Sequence, residues 1–237
     1  MEMKNKSQIA LAIVTLAFGV VGCSYLKTSE PSNGPSNSSV ANSAAENSPV
    51  AGEPTMRFTP GSDAKADLEK IADRFKSVSS FRATMNGTGT RSFTSTADFA
   101  APDRFQIMSE LPDGKTIEMR IIGTETYMRS DGDWQKVPID VGAQIANVRD
   151  LINKEQINKF KEIKYAGEET VDGAAAYLYE YKGSAPNGPA FTSKMWISKT
   201  SSLPVKMVAD YETGDLQKME VTYDYTVKIS IEPPPSK

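Results

Sequence analysis

The chain has 237 residues, 27 of them basic and 30 acidic, with one cysteine, no histidine and a formal net charge of −3. A nucleic-acid surface would be strongly basic, so that class is excluded as a partner. Without histidine there is no His-based triad, no HExxH zinc site and none of the commonest metal ligand. The expectation is a protein that is not an enzyme and carries no metal or cofactor; only a carboxylate-pair or Ser–Lys hydrolase stays open.

Residues 1–22 begin with Lys4 and Lys6, continue through an apolar stretch at 9–21 and close on small residues before Cys23. This is the layout of a secretion signal. Its apolar stretch is 13 residues, against the roughly 20 that a membrane-spanning helix needs, so removal rather than retention is expected. The run Val20-Val21-Gly22-Cys23 resembles a bacterial lipobox. That resemblance implies lipid attachment at Cys23, which would then be the acylated N-terminus and membrane anchor. An odd cysteine in an exported chain otherwise lacks a reason, the alternative being a secreted protein with a stray thiol. Removing Lys4, Lys6 and Glu2 leaves 25 basic (27 less 2) and 29 acidic (30 less 1) residues, a formal charge of −4. With Cys23 acylated no thiol remains for a disulfide, and a globular part of about 180 residues is large enough to fold without one.

Residues 24–55 contain 18 Ser, Asn, Pro or Gly among 32. Such a segment buries too little apolar surface to offset its ordering entropy. It reads, with Cys23, as a flexible tether with a span of roughly 30 Å.

Residues 56–237 read as one domain. A helix is expected near 63–77, because Leu68, Ile71, Ala72 and Phe75 form one stripe at 3.6-residue spacing and Ser62 or Asp63 can cap it. The period then becomes 2. Phe81, Ala83 and Met85 alternate with polar residues, as do Ile117, Met119 and Ile121; Val205, Met207, Ala209 and Tyr211; and Met219, Val221, Tyr223 and onwards to Ile231. Strands with one dry and one wet face follow. Turn pairs at Asp113-Gly114, Asp131-Gly132 and Gly214-Asp215 separate them, which implies an antiparallel meander. Residues 141–162 interrupt it with Ile145, Val148, Leu151, Ile152, Ile157 and Phe160 at helical spacing, read as one or two short helices. Strands resume near 174–182 and 192–198.

Five methionines, Met85, Met119, Met195, Met207 and Met219, share the parity of the apolar set in their own strands, whereas Met108 and Met128 do not follow their neighbours. Unbranched, polarizable methionine suits a surface that meets variable apolar partners. Either these residues line a cavity or they simply pack a core. Two or three short helices are little cover for nine or more strands, which favours a cavity or a sheet rolled on itself. Trp134 and Trp196 read as packing residues.

Several stretches together resemble the LolA/LolB-like lipoprotein-carrier superfamily, in its lipoprotein branch of the LppX/LprG kind. They are Val78-Ser79-Ser80-Phe81-Arg82-Ala83 after the first helix, Ala101-Pro102-Asp103-Arg104-Phe105, the 123–137 hairpin with Tyr127 and Trp134, Gly167-Glu168-Glu169-Thr170-Val171-Asp172-Gly173, Met195-Trp196-Ile197-Ser198 before Leu203-Pro204-Val205-Lys206, and Tyr223-Asp224-Tyr225. The resemblance implies an α+β, mainly antiparallel fold: an unclosed β-barrel with a short helical lid over a hydrophobic cavity for acyl chains. The lining expected is Leu68, Ile71, Phe75, Phe81, Met85, Ile117, Met119, Ile121, Met195, Ile197, Met207, Met219, Val221 and Tyr223. It further implies a monomeric envelope protein that binds a lipid or an acylated lipoprotein, for its transport or sorting, with no catalytic residues. Ser24 after the acylated cysteine fits outer-membrane delivery facing the periplasm. The alternative is an envelope sensor or protein-interaction module on the same fold. A tethered chain departs from the freely diffusing carrier of that superfamily, and Arg82, Arg91 and Arg104 cannot be matched to its functional arginine.

Overall fold

The computed structural model describes residues 58–90, 92–111, 114–130, 132–138, 153–184 and 188–235. The signal segment, Cys23, the 24–55 tether and the first part of the expected helical interruption lie outside them.

Helix α1 (Ala64–Lys76) follows its sequence signals. Asp63 is its N-cap, its carboxylate accepting from the Lys65 and Ala66 amides at 3.0 and 3.2 Å. Leu68, Ile71, Ala72 and Phe75 are buried to 2% exposure or less, each large side chain contributing roughly 1.5–3 kcal/mol. Eleven strands follow: β1 (Ser80–Gly89), β2 (Phe93–Ala100), β3 (Arg104–Glu110), β4 (Thr116–Ile122), β5 (Glu125–Arg129), β6 (Gln135–Val137), β7 (Lys161–Val171), β8 (Ala174–Ser184), β9 (Ala190–Ser198), β10 (Pro204–Tyr211) and β11 (Leu216–Asp224). Helix α2 (Lys154–Lys159) precedes β7 and is capped by Asn153.

The sheet order is β6-β5-β4-β3-β2-β1-β11-β10-β9-β8-β7, every pairing antiparallel. Two meanders are therefore joined by the β1–β11 pair, and β6 and β7 are the edge strands among the described residues. The sheet is open and not a closed barrel. Helix α1 packs on one face, called inner here. Its buried residues divide into two clusters: Phe75 with the β1–β4 and β11 side chains, and Leu68, Ile71, Ala72 and Ile157 with those of β8–β10. Two inner-face glycines receive the ring of the phenylalanine paired with them. A Cβ at Gly87 would come within 2.2 Å of Phe93, and one at Gly183 within 2.5 Å of Phe191.

Four expectations are corrected. The strand expected at 219–231 ends at Asp224, whose carboxylate accepts from the Thr226 amide and hydroxyl at 2.8 and 2.7 Å and turns the chain. The tail then runs past β3 and β4, where Arg104 donates to the Ile231 carbonyl at 2.6 Å and Arg120 to the Glu232 carbonyl at 3.1 Å. Val205 does not share the face of Met207: a bulge at the start of β10 sends it outwards to Val208, Trp196 and Leu178. Strand β7 occupies residues read as the end of a helix and a loop. It is an edge strand with charged, exposed residues and two register shifts, so it shows no alternation. Met128 does lie on the inner face, opposite Met119, whereas Met108 points outwards and is exposed.

Candidate functional site

The register assembles the inner face into continuous rows. One runs Tyr179–Met195–Met207–Val221–Met85–Ser95–Ser109–Ile117 across eight strands. The next toward the other end of β1 runs Tyr223–Ala83–Ala97–Ile107–Met119–Met128. Beyond it lies Phe81–Phe99–Phe105–Ile121–Thr126. All five methionines singled out by parity lie on this face. In β1–β5 and β8–β11 the inward positions carry no Asp, Glu, Lys or Arg.

All fourteen expected lining residues face inwards or lie on the side of α1 that covers the sheet. Thirteen are buried: Leu68, Ile71, Phe75, Phe81, Met85, Ile117, Met119, Ile121, Met195, Ile197, Met219, Val221 and Tyr223. The exception is Met207, which is half-buried and, with Tyr211, touches both apolar clusters. Those two residues form the seam at which the two clusters meet.

The polar groups of this face divide sharply. Ser95 and Ser109 bond each other at 2.8 Å, and Ser193 donates to the Val208 carbonyl at 3.0 Å. The Tyr179 hydroxyl donates to the buried Asp67 carboxylate at 3.1 Å, which also accepts from the Gly61 amide at 2.7 Å. The Tyr181 hydroxyl donates to the Met207 sulfur, a weak acceptor, at 3.5 Å and also interacts with the Ser193 side chain. The hydroxyls of Thr126, Tyr211 and Tyr223 are buried with no partner among the described residues. Burial pushes Tyr181 and Tyr211 up to about 12 and Tyr223 well above the usual tyrosine range, so all three phenols are neutral donors at physiological pH.

Outside this face, Trp196 lies on the outer side and donates to Glu169 at 2.7 Å, and Trp134 lies under the guanidinium groups of Arg120 and Arg129 at 4.7 and 5.0 Å. An open groove of about 440 Å³ at the start of α1, lined by Asp63, Lys65, Ile163, Lys164 and Tyr165 among others, includes none of the expected lining residues. Among the described residues no acidic group of three could hold a metal, and no helix is long and apolar enough to cross a membrane.

Sequence reasoning placed Tyr223 in the lining as an apolar residue and missed the hydroxyls of Tyr181 and Tyr211. The available signal was tyrosine at inward parity, where phenylalanine would pack equally well.

No family model matches the sequence, and no curated protein does. Solved structures do match. The lipoprotein LppX of Mycobacterium tuberculosis superposes with a TM-score of 0.57 at 15% identity, over 71% of this chain and 98% of that one. LprF of Mycobacterium bovis gives 0.56 at 15% identity, over 76% of this chain and 100% of that one. Likeness at this identity is one of fold: the chain, an open antiparallel sheet with a helix across its inner face, shares the fold of LppX and LprF.

Proposed function

We propose that this protein is a lipid-anchored envelope protein that binds the acyl chains of a lipid or lipoprotein on its inner sheet face, for transport or sorting. The observation that carries the reading is the inner face of the sheet, which bears methionines and no charged residue at the inward positions of β1–β5 and β8–β11, and on which Met207 and Tyr211 are only partly buried. An apolar face without charge accepts a hydrocarbon chain with no desolvation cost. Methionine, with its freely rotating thioether, lets the same face fit chains of different shape. In this reading Cys23 carries the anchor, the 24–55 tether lifts a monomeric domain off the headgroups, and the outer membrane facing the periplasm is its place of work. The fold shared with LppX, a lipoprotein by name, supports that setting.

The test is mass spectrometry of the full chain, purified from a bacterial host in mild detergent and sprayed under native conditions. Extra mass that leaves on denaturation and matches a phospholipid or fatty acid is the expected result. A clean mass that stays clean after incubation with lipid would overturn acyl binding and move the reading to an interaction module on the same fold.

A further inference from the structure

We propose that Met207 is a modification site: oxidation of its thioether to the sulfoxide by peroxide makes the inner face reject hydrocarbon chains while the fold stays intact. This rests on the acyl-binding reading above and adds a chemical control to the same face.

Three observations point there. First, exposure separates the methionines. Met85, Met119, Met195 and Met219 are no more than 5% exposed, and Met108, 45% exposed, lies on the outer face. Met128 and Met207 are the partly buried methionines of the inner face among the described residues. Second, position separates those two. Met207 packs on both apolar clusters at their seam, and it is the one methionine among the partly buried described residues that do so. Met128 lies in β5, paired with Gln135 of the edge strand β6. Third, a hydrogen-bond donor already faces the Met207 sulfur. The Tyr181 hydroxyl stands 3.5 Å from it, and burial pushes this phenol up to about 12, so it keeps its proton.

The step is a two-electron oxidation. A sulfur lone pair attacks one oxygen of hydrogen peroxide and the O–O bond breaks. The transferred oxygen gives its proton to the departing hydroxide, which leaves as water. Sulfur is oxidised and peroxide is reduced. In the proposed reading Cys23 is acylated, so methionine is the oxidisable sulfur left in the chain. A thioether is a weak acceptor, whereas the sulfoxide is polar. The Tyr181 hydroxyl can follow the new oxygen, and the oxidised chain keeps its fold. A hydrocarbon chain laid on the seam then covers a dipole that water would otherwise solvate. That burial weakens loading by at least about fivefold.

The experiment treats the full chain, in detergent micelles, with a limiting amount of hydrogen peroxide, quenches with catalase and adds dioleoyl phosphatidylcholine. Native mass spectrometry isolates the lipid-bound and lipid-free populations, and fragmentation of each places the added oxygens. Met207 sulfoxide is expected to be at least about fivefold rarer in the lipid-bound population. Met108 sulfoxide should be equally frequent in both, as the internal control on the outer face. The oxidised sample should keep the circular dichroism spectrum of the untreated protein. Equal Met207 sulfoxide in the two populations overturns the switch and leaves acyl binding standing. A Met207 that stays reduced when Met108 is fully oxidised also overturns it. So does an oxidised chain without its folded spectrum, since loss of lipid would then report loss of fold. An untreated chain that takes no lipid overturns the switch together with the acyl-binding reading.

Discussion

The contact that pins α1 to the sheet can be dissected quantitatively. Asp67 is 1% exposed, and its carboxylate accepts from the Gly61 amide at 2.7 Å and from the Tyr179 hydroxyl at 3.1 Å. Lys70 stands 3.8 Å away but is largely in water and contributes little. Each hydrogen bond to a charged group contributes about 1.5–3 kcal/mol. Tyr179→Phe removes one such bond and leaves the carboxylate its backbone donor, so it should cost about 2 kcal/mol. Asp67→Ala removes both and strands the Tyr179 hydroxyl in the core, for about 4 kcal/mol. Once Asp67 is alanine the hydroxyl has nothing left to lose, so adding Tyr179→Phe should cost nothing further. The double-mutant cycle, read by urea unfolding with circular dichroism, should give a coupling of about 2 kcal/mol. Additivity within about 0.5 kcal/mol would refute the coupling of α1 to β8 through this pair.

Three further outcomes are expected. Tyr179, Tyr181, Tyr211, Tyr223 and Tyr225 all have phenols whose ionisation is opposed mainly by burial. Their folded values lie above the unfolded value near 10, so their stability is complete below pH 10 and falls as pH rises. With five phenols ionising only on unfolding the slope is on the order of 7 kcal/mol per pH unit, and a tyrosinate absorbance titration should show one cooperative step instead of independent ionisations. Gly87→Ala would drive a Cβ into the Phe93 ring and should cost about 1–3 kcal/mol in thermal unfolding, whereas Gly87→Ala combined with Phe93→Leu should recover part of it. Met195→Glu places a carboxylate at a fully buried site and should prevent folding, while Met207→Glu at the partly buried seam should leave a folded chain by circular dichroism that no longer carries lipid; retained lipid would remove Met207 from the binding face.

The parts of the fold that were legible in the sequence are those where a single face is dry. Phe81, Ala83 and Met85, or Ile117, Met119 and Ile121, alternate because only alternate positions meet the core. The helix stripe from Leu68 to Phe75 is legible for the same reason. β7 was not, because an edge strand guarded by Lys161, Glu162, Lys164, Glu168 and Glu169 has no dry face to leave a period. Val205 shows the complementary failure: a bulge shifts parity by one residue, and no local residue type announces it. The tail beyond Asp224 kept its alternation, with Ile229 and Ile231, but Ile231 is buried where arginines of β3 and β4 hold the backbone, not in a ladder. Parity put the five methionines on the inner face, where the register places them. It could not reveal that the tyrosine hydroxyls lack partners, since hydrogen-bond satisfaction depends on what lies across the fold.

The seam carries one more consequence. Within the sheet the two meanders pair through β1 and β11, and the two inner-face clusters meet at Met207 and Tyr211. Met207 belongs to both, so a ligand entering between the clusters displaces its side chain before any backbone. Methionine can comply through three rotatable bonds. Isoleucine of similar volume cannot, because its branched Cβ restricts χ1. Met207→Ile should therefore change stability by less than about 1.5 kcal/mol and yet narrow the range of acyl chains that the purified protein carries. Native mass spectrometry of the protein after exposure to an equimolar mixture of short-, medium- and long-chain phosphatidylcholines reads that range directly. An unchanged spread of bound masses would mean that the fit is set by the sheet itself, and that the thioether at the seam does not adapt to the ligand.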